Sequence, residues 1–123
     1  MTSRVTQPPV YVLKAEFFRA LGHPVRVRIL QLLRDGEMTV GALQAELDLD
    51  SSGTSQHLAA LRKQGLVSAR RDGTSVHYSV KDERTLMLLE LAKAIIASNL
   101  EENRQLLDVL AAEDFAPARA PSK

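Results

Sequence analysis

Ser51 and Ser52 stand ahead of Thr54, Ser55, Gln56 and His57, and Arg62 and Lys63 follow a turn or more later. Short or fork-shaped polar groups on the first two turns of a helix suit base-pair edges in a DNA major groove, and glutamine can pair bidentately with adenine. Ser51 or Ser52 as helix cap would leave exposed N–H groups beside a phosphate. Arg62 and Lys63 lie further along, within reach of a nucleic-acid backbone. A second basic pair, Arg70 and Arg71, precedes Asp72-Gly73-Thr74 and would reach phosphates or an adjoining minor groove. This is the chemistry of recognition; such a set makes and breaks no bonds.

Catalytic and redox chemistries lack comparable support. With no cysteine in 123 residues, thiolate-bound metals, iron–sulfur clusters, cysteine nucleophiles and disulfide scaffolds are excluded. No P-loop, G-x-G-x-x-G, H-E-x-x-H or G-x-S-x-G motif occurs. Ser55 and His57 are two apart on one helix and do not face each other, and Glu101-Glu102 reads as a solvated helix face. His23, His57 and His77 fall on separate elements and make no metal cage by spacing. His23, in Gly-His-Pro, reads as a turn-closing or capping residue, His57 as a DNA-facing or packing residue, and His77 as a partly exposed sheet residue. No cofactor is required. A nickel or zinc site of histidines and carboxylates assembled across subunits is the remaining metal alternative.

A formal net charge of +1 would argue against a nucleic-acid partner only if the charge were evenly spread. Residues 1–50 carry six basic and six acidic groups. Residues 51–81 carry five basic side chains against Asp72 alone, a balance of +4. Residues 82–114 carry three basic side chains against eight carboxylates, a balance of −5. A near-neutral sum thus hides a basic middle and an acidic end, two surfaces with different partners.

The elements that must position these residues follow from periodicity. Residues 1–9 are polar, end in Pro8-Pro9 and read as a flexible arm. Val10, Leu13, Phe17 and Leu21 form one helical stripe that Gly22 stops. Pro24 suits the first turn of a second helix, 24–34, with Val25, Ile29, Leu32 and Leu33 inward, ended by Asp35-Gly36. Thr39 caps a short third helix through about Leu47. A polar turn from Asp48 to Gly53 leads to a fourth helix ending near Gln64, with Leu58 and Leu61 inward and Gly65 closing it. Residues 66–80 switch to period two around Asp72-Gly73, the signature of a hairpin. From Asp82 to about Ala112 there is neither Gly nor Pro, which predicts one long helix. Its stripe is Leu89, Ala92, Ile96, Asn103, Leu107 and Leu110, and a helix so broadly apolar packs on a second chain. Residues 113–123 read as a flexible tail, leaving 10–112 as the domain. The fold class expected is mostly α with a two-stranded β-hairpin wing: a winged helix-turn-helix of five helices, dimeric.

Three stretches carry a more specific pattern: L-x-H-P-x-R-x-x-I-L at 21–30, S-Q-H-L-x-x-L-R at 55–62, and G-L-V at 65–67 followed by R-R-D-G. From about Tyr11 to Leu110 the chain resembles the ArsR/SmtB type of bacterial transcriptional regulator. The resemblance implies a homodimeric winged-helix repressor whose first and last helices form the dimer interface, here Val10, Leu13, Phe17, Leu89, Ile96, Leu107 and Leu110. It implies that Ser52, Thr54, Ser55, Gln56 and His57 face operator DNA, with Arg70, Arg71, Gly73 and Thr74 in the wing. Many members of that family sense metals, but the thiolates of the arsenic, cadmium and lead sites are absent here. Residues 82–114 contain no histidine for a zinc site.

The expected function is sequence-specific DNA binding by a homodimer on a palindromic operator, as a repressor and not an enzyme, with the inducer open: a small molecule, a metal held without thiolates, or a protein. The competing expectation is a winged-helix interaction module that docks a partner protein through the long acidic helix. No run of apolar residues is long enough to span a membrane, and MTSRVTQPPVY lacks a signal-peptide core, so a cytoplasmic location is expected.

Overall fold

The computed structural model describes residues 7–101 and 104–113. Most of the expected N-terminal arm and C-terminal tail, and Asn103, lie outside those residues. The elements run α1 (Val10–Leu21), α2 (Pro24–Leu32), a 3-10 turn (Leu33–Asp35), β1 (Met38–Thr39), α3 (Val40–Leu47), α4 (Ser51–Lys63), β2 (Val67–Asp72), β3 (Ser75–Val80), α5 (Arg84–Asn99) and α6 (Arg104–Glu113). Helices α3 and α4 form the helix-turn-helix, and β2–β3 form the wing.

Local chemistry sets most of the boundaries. The His23 imidazole Nδ1 accepts from Val25 N–H at 3.1 Å and caps α2, with Pro24 as its first residue. Thr39 Oγ1 accepts from Ala42 N–H at 3.1 Å and caps α3. Asp48 ends α3 in a left-handed conformation, φ 57°, a region aspartate tolerates better than most residues. Gly65, at φ +74°, closes α4. Leu66 N–H reaches back to Leu61 C=O at 2.9 Å and Gly65 N–H to Arg62 C=O at 3.0 Å, the paired bonds of a Schellman motif. Leu61 and Leu66 are both buried, so this cap also starts the wing.

The core gathers Ile29 and Leu30 from α2, Leu43 and Leu47 from α3, Leu58 and Leu61 from α4, and Leu66 and Val67 at the root of the wing. None is more than 1% exposed, and burying each such side chain contributes about 2 kcal/mol. Leu88 and Leu89 of α5 and Phe17 of α1 pack against this cluster.

Three expectations need correction. The sheet has three strands in the order β1-β3-β2, all antiparallel, with Met38 opposite Tyr78 and Thr39 opposite His77. A two-residue strand carries too few side chains to show a period. In the wing, Asp72 pairs with Ser75, so the two-residue loop is Gly73-Thr74 with positive φ only at Gly73; Asp72 belongs to the strand. The long C-terminal helix is two helices, making six in the described residues. Ser98 and Asn99 end α5, and their side chains compete with the backbone for helical hydrogen bonds; Leu100 N–H closes the last turn on Ile96 C=O at 2.9 Å.

The break also divides the expected interface stripe. Leu89 and Phe17 turn toward the protein's own core, and Leu107 and Leu110 are half-buried on α6. Among the described residues, the uncovered large apolar side chains are Val10, Tyr11, Leu13 and Phe18 on α1, Met87, Leu91, Ile95 and Ile96 on α5, and Leu106 and Val109 on α6. Replacing Gly65 by alanine at a left-handed position is expected to destabilise the domain by about 1–2 kcal/mol, read as a lower urea midpoint. A wild-type midpoint for Gly65→Ala would contradict the Schellman closure.

Candidate nucleic-acid interface

Helix α4 has two faces. Thr54, Leu58 and Leu61 are buried, at spacings of four and three that place them on one side. Ser52, Ser55, Gln56, Ala59, Arg62 and Lys63 are exposed and form the opposite stripe. Ser55 and Gln56 sit in the middle with short and fork-shaped polar groups. Ala59 adds a small apolar side chain of the kind that meets a thymine methyl. Arg62 and Lys63 bring positive charge at the far end, where cations also complement the helix dipole.

The structure relocates several residues expected on this surface. Thr54 is fully buried, and its hydroxyl donates to Asp50 C=O at 2.9 Å; it is a packing residue, not a base reader. The N-cap is Asp50, whose carboxylate accepts from Gly53 N–H at 2.8 Å. Ser51 and Ser52 are therefore the first two residues of the helix. A Cβ at position 53 would lie 2.8 Å from Asp50 Oδ1, so glycine lets this cap close. Because the Asp50 carboxylate already faces the positive end of the helix dipole, a phosphate at that spot would meet a like charge.

His57 turns toward α2. Its Nδ1 accepts from Arg26 Nε at 3.1 Å, and its ring lies 4.3 Å from the His23 ring, tilted by 53°. These contacts tie the recognition helix to the cap of α2, which occupies one ring nitrogen and draws the side chain away from the exposed stripe.

In the wing, alternation separates the two arginines. Arg70 forms an ion pair with Glu37, just before β1, and lies 3.9 Å from Asp72; His77 Nδ1 lies 3.7 Å from the same Glu37. The Arg70 guanidinium holds the Glu37 carboxyl below its usual range. Arg70 is thus anchored across the sheet, not placed at the tip. Arg71 points the other way, exposed and with no ion pair among the described residues. Gly73 and Thr74 form the exposed turn beside it.

Sequence reasoning overlooked Ala59, Asp50 and Glu37. The first two were readable: Ala59 lies three and four residues beyond Gln56 and Ser55, and aspartate is as good an N-cap as serine. The Glu37–Arg70 pair spans 33 residues and leaves no local signal. No three His, Asp or Glu side chains gather as a metal-ligand set among the described residues, and none of the described helices is long and apolar enough to cross a membrane.

Burial, then His23, then Arg26 lower the pKa of His57 from its ordinary value. The folded state therefore binds fewer protons than the unfolded chain between the folded value and about 6.5. This contribution is present in full above the ordinary histidine pKa and is lost as pH falls through the folded value. Urea unfolding is expected to show stability falling from about pH 7.5 to about pH 5.5, with a shallower fall in His57→Gln. An undiminished fall in that variant would contradict the assignment.

Comparison with known proteins identifies the family to which this fold belongs. Residues 23–69 match the family model described as "Bacterial regulatory protein, arsR family". The chain is 43% identical over 105 residues to the HTH-type transcriptional regulator Rv0081 of Mycobacterium tuberculosis, covering 85% of this chain and 92% of that protein. The crystal structure of M. tuberculosis Rv0081 superposes with a TM-score of 0.71 at 44% identity, over 78% of this chain and 97% of that one. A probable mercury resistance operon repressor of Streptomyces lividans is 41% identical over 69% of this chain and 68% of its own length. The solution structure of the homodimeric winged helix-turn-helix DNA-binding domain of Mb0332 from Mycobacterium bovis matches with a TM-score of 0.69 at 32% identity, over 76% of this chain and 87% of that one. The chain thus belongs to the arsR family of bacterial regulatory proteins and is a DNA-binding transcriptional regulator, not an enzyme.

Proposed function

We propose that the protein is a homodimeric repressor that reads an imperfect palindrome, each subunit placing α4 in one of two successive major grooves. The observation that carries this reading is the polar stripe of α4, displayed opposite its buried face. Ser55 and Gln56 read base edges, Ala59 meets a thymine methyl, and Ser52, Arg62 and Lys63 touch the backbone. Arg71 and Thr74 reach phosphates beside the groove. Two copies joined through the uncovered faces of α1 and α5 would set the two helices about 34–36 Å apart. The homodimeric Mb0332 domain and the mercury-operon repressor support the assembly and the sign of regulation. The inducer is not a metal held by thiolates, because the chain has no cysteine.

Gln56→Ala is expected to weaken binding to a duplex selected from a randomised pool by about 1–3 kcal/mol and to relax base preference. Arg71→Ala should weaken all duplexes alike and lower the salt slope by about one, whereas Arg70→Ala, already paired with Glu37, should change it less. Mobility-shift titrations decide both points; wild-type affinity in Gln56→Ala would refute the recognition stripe. Leu91→Glu is expected to give a monomer by analytical ultracentrifugation with secondary structure retained, and a Leu91→Glu dimer would remove α5 from the interface.

A further inference from the structure

The wing carries two adjacent arginines, and strand alternation sends them to opposite faces of β2. Arg71 has no ion pair among the described residues. Arg70 reaches across β3 to Glu37, in the segment between the 3-10 turn and β1. The contact is fork to fork: Nε donates to one carboxylate oxygen at 3.4 Å and Nη2 to the other. A guanidinium meets a phosphate in the same bidentate way. Glu37 thus occupies the face of Arg70 that a nucleic-acid backbone would take. The basic balance of +4 counted along residues 51–81 is lower by one in space.

The pair is poorly placed to serve stability. The Arg70 and Glu37 side chains are 54% and 40% exposed, and ion pairs so open to water add little to folding. Exchange of the partner is also easy. Solvent reaches both groups, and His77 Nδ1 lies 3.7 Å from the same carboxylate, so Glu37 keeps a polar neighbour when Arg70 turns away. Asp72, 3.9 Å from Arg70 Nη1, makes a longer contact with one nitrogen and holds the guanidinium less firmly.

We propose that Glu37 is an intramolecular competitor of the DNA backbone: it holds Arg70 in the free protein and so limits the affinity of the wing for duplexes of every sequence. The inference rests on the reading of the wing as a phosphate-contacting element. Were the pair instead a brace that fixes the wing for binding, loss of the carboxylate would weaken DNA binding, so the two roles differ in sign. Glu37→Gln keeps the size of the side chain and removes its charge. The variants are compared by fluorescence-anisotropy titrations between about 50 and 200 mM salt. Glu37→Gln should tighten a selected and an unrelated duplex alike, by about three- to tenfold, and steepen the salt slope by about one. Glu37→Gln combined with Arg70→Ala should bind as Arg70→Ala alone does. The urea midpoint of Glu37→Gln should match the wild type. Equal or weaker binding by Glu37→Gln, beside salt-dependent binding by the wild type, overturns the proposal alone. A gain that persists without Arg70, or a urea midpoint well below the wild type, does the same. Wild-type binding without salt dependence overturns the reading of the wing together with this inference.

Discussion

Everything displayed by the recognition helix depends on how that helix is fixed about its own axis, and three side chains do most of the fixing. Thr54, Leu58 and Leu61 are at most 1% exposed and pack into the cluster built by Ile29, Leu30, Leu43 and Leu47. Turning α4 by one residue, about 100°, would move Leu58 into water at a cost of about 2 kcal/mol. The exposed stripe is therefore the complement of the buried one. Both ends of the helix are tied as well, by the Asp50 carboxylate at its start and by the Leu61–Leu66 hydrogen bond at its close. Because that last bond also begins the wing, helix and hairpin keep one orientation relative to each other.

Electrostatics then divides the surface. The basic balance of residues 51–81 lies on α4 and the wing, the acidic balance on α5, α6 and the segments around them. Within the basic part, geometry sorts the cations: Arg70 is committed to Glu37, while Arg62, Lys63 and Arg71 remain at the surface. A phosphate backbone would therefore be met along the side and far end of α4 and at the wing turn. Since Asp50 occupies the positive end of the helix dipole, the proposed DNA contact rests on the side chains of α4 rather than on its N-terminus.

Much of this was legible in the residues alone, for reasons that can be named. Helices α1 to α4 have clear apolar periods and strong punctuation at Gly22, Pro24, Thr39 and Gly65, and the hairpin alternates cleanly about Gly73. The inward turn of Thr54 was readable too, because 54, 58 and 61 share one helical face, but a polar residue beside Ser55 and Gln56 invites grouping by chemistry instead. Other features had no local trace. The His23–His57 stacking and the Glu37–Arg70 pair join residues more than 30 apart, and β1 is two residues long. The division of α5 from α6 occurs without Gly or Pro. Apolar residues surround α5 on most sides, so periodicity alone could not distinguish Leu89, which faces the core, from Leu91, which faces outward.

The central claim is that two copies of α4 enter successive major grooves on one side of a duplex. A dimethyl sulfate protection footprint of the wild-type protein on a duplex selected from a randomised pool tests it most directly, because the reagent reads guanine N7 in the major groove. Two protected patches about 34–36 Å apart, related by an approximate two-fold, are expected. A single patch, or no major-groove protection under conditions of saturated binding, would contradict it.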